Sequence, residues 1–204
     1  SQEVIGSFSG FVSIVGGGMY RIGDRVRIGV VTGDVVDISL LRTTLLEIGE
    51  WVQADQPTGR LVTIANRAVF SDPVFNYTKL WPYLWDEITI PVTYTSDWRR
   101  AAEIMLAHAE EYTTELQVDA QAKLDALGAR YPVLDDVPVS PTLYTVMTDN
   151  WVELTLRYVV PARQRRGVKA TLHRELLAHF EDEEAITVAS ATFEIVGFPG
   201  AGAS

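Results

Sequence analysis

The sequence predicts an α+β chain, a small β-barrel or sandwich domain followed by a βαββαβ domain. Three observations carry this reading. Residues 20–65 contain four or five short runs with two-residue alternation, separated by turn signals. Residues 87–196 run strand, helix, strand, strand, helix, strand. Of the 204 residues, 47% are hydrophobic, which suffices for the cores of one or two domains.

The chain opens on its longest apolar stretch, Val4–Met19, with three serines and five glycines. A membrane-crossing helix needs about 20 mostly apolar residues, so this one is too short to span alone. It also lacks the basic start and cleavage site of a signal peptide, and the chain reads as a piece of a longer one. In Arg25–Val31, Val26, Ile28 and Val30 point one way while Arg25, Arg27 and Gly29 point the other, the pattern of a half-buried strand. Residues 30–41, "VVTGDVVDISLL", continue in β-type residues around an expected Gly33–Asp34 turn. Residues 42–54 read as a strand interrupted at Gly49, 55–59 as a turn, and 60–65 as the next strand. Closely spaced strands of this kind build a small barrel or sandwich. Residues 66–79 lead out, with Pro73 limiting any helix. The cluster "WPYLW" (81–85) marks the boundary and is expected to pack between the two units.

In "EITIPVTYT" (87–95), Ile88, Ile90, Val92 and Tyr94 share a face, and Pro91 places the strand near a sheet edge. Ser96 or Asp97 can cap the following helix. Its apolar stripe is Met105, Ala109, Tyr112, Leu116, Ala120 and Leu127, and Gly128 stands where a helix stops. "TLYTVM" and "WVELTLRYVV" are joined through "TDN", a hairpin signal. A second helix follows on Val168, Leu172, Leu176 and Phe180, and "AITVASATFEIV" (185–196) closes as a strand. This order is that of a ferredoxin-like sandwich.

Charge and residue types narrow the chemistry. The formal net charge is −10, and the chain has no cysteine, which excludes disulfides and thiolate chemistry. Residues 1–80 carry 7 basic and 8 acidic side chains, whereas residues 81–204 carry 10 and 19. An acidic second unit argues against nucleic-acid binding there, because phosphate requires a basic face. The local exception is Arg21, Arg25 and Arg27, directly after the apolar stretch. Basic residues in that place mark a cytoplasmic flank and suit anionic headgroups; otherwise they decorate the wet face of a strand.

Catalytic signals are sparse. His108 and His173 lie off the apolar stripes and are expected to be solvated, while His179 sits beside Leu176 and Phe180 as a packing residue. No pair of histidines has metal-ligand spacing in sequence. "EDEE" (181–184) clusters oxygens that could take a divalent cation, but such a run is more often a solvated helix end. "GGG" (16–18) lacks the ending of a phosphate loop, and no serine sits in a nucleophile elbow. No enzyme site, metal or cofactor is expected.

Five segments in register resemble the small-conductance mechanosensitive ion channel family. They are "YRIGDRVRI" (20–28), "GDVVDISLLRTTL" (33–45), "GRLVTIAN" (59–66), "DPVFNYTK" (72–79) and "PYLWDEITIPVTYTSDW" (82–98). Ala65 stands where the family usually has proline. Residues 46–58 enlarge one hairpin and place Trp51 in it, and the helix over 97–127 is longer than the family needs.

The resemblance implies residues 1–19 as a remnant of a pore-lining helix, 20–80 as an Sm-like β domain, 81–196 as the ferredoxin-like α/β domain and 197–204 as a flexible tail. It implies a heptamer, the inner membrane with this portion on the cytoplasmic side, and partners that are membrane lipid, permeating ions and small osmolytes. Under it Gly6, Gly10 and Ser13 are expected to pack helix on helix, and Gly16, Gly17 and Gly18 to form a hinge. Arg21, Arg25 and Arg27 would face headgroups. The implied function is release of ions and small solutes under membrane tension. The rival readings are a small-barrel RNA-binding protein using the same arginines and an enzyme resembling small acylphosphatases.

Overall fold

Helix α1, Gln2–Gly16, opens the chain and runs onto a β-sheet. The computed structural model describes residues 2–134 and 137–190. Five antiparallel strands follow: β1 (Arg25–Ile28), β2 (Val31–Ile38), β3 (Arg42–Ile48), β4 (Pro57–Ala65) and β5 (Val74–Asn76). Their order in the sheet is β4-β3-β2-β1-β5. A 3₁₀ turn, Asn66–Phe70, lies between β4 and β5. The core beneath this sheet gathers Val26, Ile28, Val35 and Leu45 with Ile14 of α1 and Tyr20 of the connection, so the helix end and the sheet share one apolar cluster.

Local chemistry sets the turns, and one differs from expectation. The β1–β2 loop is Gly29–Val30, and Gly29, at φ 59°, supplies the positive angle its first position needs. Strand β2 then passes straight through Gly33–Asp34 without turning. A Cβ on Gly33 would lie 2.5 Å from the Leu46 carbonyl oxygen, so this glycine answers close strand approach.

The second unit comprises β6 (Tyr83–Val92), α2 (Trp98–Gly128), β7 (Thr142–Met147), β8 (Val152–Pro161) and α3 (Arg165–Glu181). Its sheet runs β6-β8-β7, antiparallel throughout. Val188 bridges Val92 on the outer side of β6. The expected strand over 185–196 is therefore a single bridge up to Ser190, and its remainder, with the tail 197–204, lies outside the described residues. The bridge still puts the last segment beside the first strand, the ferredoxin-like order.

Asp97 is the cap of α2, its carboxylate accepting the Arg100 amide at 3.0 Å. The first half of α2 buries Ala101, Ile104, Met105 and Ala109 with Ile88, Leu154, Leu156, Leu172 and Leu176. Its second half buries Ala120 and Leu124 against Trp81, Tyr83 and Val159. Because the helix serves two cores in succession, its buried stripe shifts, and Tyr112 is exposed. "WPYLW" correspondingly packs under α2, within the second unit, and the Trp81 indole donates to the Ala120 carbonyl at 3.1 Å. Helix α3 buries Val168, Leu172, Leu176 and Phe180. Among the described residues no helix is long and apolar enough to cross a membrane.

Candidate functional site

Helix α1 has one seated face and one open face. Ser7, Gly10 and Ile14 are buried. A Cβ on Gly10 would lie 2.3 Å from the Asn66 carbonyl oxygen, and one on Gly6 would be 3.4 Å from the Arg67 side chain. The close approach that Gly6 and Gly10 allow is therefore to the chain's own 3₁₀ turn. Arg67 closes this seat at its start by pairing with Glu3 at 3.2 Å. Ile5, Phe8, Val12 and Val15 are at steps of three or four and Val4 lies one turn before Phe8, so they share the opposite face, and each is about half exposed or more.

The glycine run ends the helix. The Gly17 amide donates to the Ser13 carbonyl and the Met19 amide to the Ile14 carbonyl, both at 3.0 Å. Gly18 has φ 61°, and Met19 packs with Ile14 in the core. These are the features of a Schellman stop, with Gly18 at the left-handed position. A Cβ on Gly17 would sit 2.4 Å from the Ser13 oxygen, whereas Gly16 has open space around it.

A buried polar chain holds the turn that seats α1. The Asn66 amide group donates to the Ser39 carbonyl at 2.8 Å and its side-chain oxygen accepts from the Thr43 hydroxyl at 2.8 Å. The Tyr20 and Thr43 hydroxyls lie 3.0 Å apart. Tyr20, Thr43 and Asn66 thus each find a side-chain or backbone partner, as burial demands.

The three arginines part company. Arg25 is 5% exposed, so it does not face headgroups. Its guanidinium forks onto Asp34 at 2.9 and 3.0 Å and donates across to the Ala162 carbonyl of the second unit at 3.3 Å. Burying an unpaired charge would be prohibitive, and the register supplies the pair directly, since Arg25 stands opposite Asp34 on β2. Arg21 and Arg27 are exposed; Arg27 lies over the Phe75 ring, 5.7 Å from its centre.

Further ion pairs tie the units together. Arg163 pairs with Asp34 at 3.5 Å and donates to the Gly23 carbonyl. Arg165 bridges Asp55 of the first unit at 3.0 Å and Asp86 of β6 at 3.1 Å. Asp86 also accepts the Tyr158 hydroxyl at 3.3 Å, and burial, with this carboxylate beside it, pushes the Tyr158 pKa up. Sequence reading missed this set, although the "RQRR" start of α3 was its visible signal.

His108 and His179 also meet, contrary to expectation. Nε2 of His108 is 3.0 Å from Nδ1 of His179, across the α2–α3 contact. Glu175 lies 3.7 Å from His108 and Glu183 3.8 Å from His179. Glu183, expected to be solvated, also takes Arg100 at 3.2 Å. Among the described residues no group of three or more His, Asp or Glu side chains is placed to hold a metal ion.

Residues 3–79 match the family model of the mechanosensitive ion channel β-domain. Among solved structures, closed-state MscS of Helicobacter pylori is similar over 97% of this chain and 66% of its own, at 14% identity and TM-score 0.67. Arabidopsis thaliana MSL1 is similar over 92% of this chain and 59% of its own, at 15% identity and TM-score 0.58. The chain thus spans about three fifths to two thirds of the length of these proteins. No curated protein sequence matches it. At such identities the likeness of structure is one of fold.

Proposed function

We propose, from the match of residues 3–79 to the mechanosensitive ion channel β-domain and the fold shared with MscS, that the chain is the cytoplasmic scaffold of a tension-gated, small-conductance pore. The observation that supports this reading is the two-faced α1. One side is fastened to the β domain by Gly10 and the Schellman stop, while the other presents Val4, Ile5, Phe8, Val12 and Val15 outward. In the proposal α1 is the last part of the pore-lining helix, and copies of the chain, seven by family analogy, pack around it. Arg21 and Arg27 face the headgroup layer, and Arg25 instead locks the two units together. Tension favours the open pore because it occupies more membrane area. Ions and small osmolytes then leave the cell on osmotic downshock.

The second unit filters solutes through openings in the assembled cage. Its 19 acidic against 10 basic residues give the cage wall negative charge, which concentrates cations near the pore. The rival RNA-binding reading loses its basic cluster, because Arg25 is buried against Asp34. The test uses the full-length protein, membrane segments included, in bacteria without other mechanosensitive channels. Survival of osmotic downshock and a suction-activated current in excised patches are expected, with reversal potentials shifted toward cations. Absence of any tension-activated current would overturn the channel reading, and anion preference would overturn the acidic-wall part alone.

A further inference from the structure

The connection between β3 and β4 reaches from the β domain onto α3, and we propose that it is a clasp that fixes the orientation of the two units, with Arg165 as its positioning residue. Three observations converge on it.

The first is an ion bridge. Nη1 of Arg165 holds Asp55 in the connection at 3.0 Å, while Nε holds the nearly buried Asp86 at 3.1 Å. One planar guanidinium presents donors along two edges, so a single side chain serves a carboxylate from each unit. Arg166 adds a donor to the Gln53 carbonyl at 3.2 Å.

The second is backbone conformation. Glu50, Ala54 and Asp55 have φ of 55°, 57° and 61°. Left-handed angles at non-glycine residues are costly and persist where the surroundings impose them. Here the arm is closed on itself by the Gly49 amide on the Gln56 carbonyl at 3.1 Å and anchored at its root by Arg60. Arg60 forks onto Glu47 at 2.6 and 2.7 Å and carries the Trp51 ring 4.8 Å above it.

The third is a cavity beside the arm. It has a volume of about 390 Å³ and is lined by Glu50 and Asp55 of the arm together with Arg25, Tyr77, Trp85 and Arg165. With open space beside the arm, its hold on the second unit is the ion pair and hydrogen bond to Arg165 and Arg166. Asp55 is one-third exposed, so that hold is open to screening, whereas Asp86 is enclosed. The clasp is a property of this chain and stands whether or not the channel reading holds.

The absence of native cysteine makes the test direct. Spin labels on Val36→Cys and Leu177→Cys, one exposed site on each unit, report the distance distribution between units. Hydrogen exchange reports the arm. Asp55→Asn is expected to broaden the distribution and to speed exchange of amides 50–55 by roughly tenfold. Arg165→Lys should do the same, since a compact ammonium lacks the planar guanidinium whose separate edges reach Asp55 and Asp86 at once. About 1 M NaCl should loosen the unsubstituted arm and leave the Asp55→Asn arm as it was. The salt titration needs no arm or Arg165 substitution, so a misfolding variant does not decide the outcome. The proposal is overturned if salt and Asp55→Asn both leave the exchange rates unchanged. It is equally overturned if the arm loosens while the distance distribution keeps its width, because the arm would then be fastened without orienting anything.

Discussion

Ala65 shows how one side chain's absence of constraint can be read from its backbone. Its φ of −64° is the angle a proline ring imposes. The Asn66 amide donates to the Leu41 carbonyl, which makes Arg42–Ala65 a wide pair and turns the Ala65 amide away from β3 at the sheet's edge. Ala65→Pro should therefore stabilise the chain by about 0.4–1 kcal/mol, by restricting the unfolded state. A urea titration reads this as a higher midpoint with unchanged slope; a lower midpoint would show the amide to be engaged. The neighbouring Asn66 carries the opposite expectation. Asn66→Ala strips partners from Thr43 and the Ser39 carbonyl, and should cost about 1–3 kcal/mol in the same titration. Arg25 belongs to this scale too. Its alternation with Val26 was legible, but its burial was not, because Asp34 and the Ala162 carbonyl reach it only through folding.

Among elements, α1 owes its position to two glycines with different tasks. Gly10 admits the Asn66 carbonyl, whereas Gly18 turns the chain out of the helix. Gly10→Ala should push α1 off its seat, at a cost of about 1–3 kcal/mol, with faster hydrogen exchange over residues 2–16. Gly16→Ala is the matched control, since its added methyl meets open space, and it should leave that exchange slow or slower. Equal effects from both would show that propensity, not close contact, governs this helix. The stripe of α3 was legible in full because it serves one core. That of α2 was legible only in part, because the second half of the helix turns a different set of residues to Trp81 and Tyr83. Gly33 was misjudged for a related reason: glycine signals a turn and a close contact alike, and Leu46 decides which.

For the whole molecule, pH is a simple probe of stability, with one titrating group in each unit. The His173 pKa is lowered, chiefly by burial and then by the Lys169 charge. The folded chain thus disfavours protonated His173, and stability present above the ordinary value of 6.5 falls as pH drops below it. Glu47 is lowered by its hydrogen bond from Arg60, so its contribution is present above the ordinary 4.5 and is lost as pH falls through its depressed folded value. Urea midpoints should therefore be highest near neutrality and decline in two stages. His173→Gln should flatten the stage beginning near pH 6.5, and Glu47→Gln should shrink the stage below about pH 4.5. A single decline untouched by either substitution would refute both assignments.

The sequence by itself determined most of the strands, helices α2 and α3, their order and the resemblance to the mechanosensitive channel β-domain, because alternation, apolar stripes, caps and turn residues act between neighbours along the chain. Only the tertiary structure decided which polar residues meet. Arg25 with Asp34, Arg165 with Asp55 and Asp86, His108 with His179, and Gly10 with Asn66 are joined by register and domain docking. Those depend on how whole elements pack, and local spacing carries no record of it.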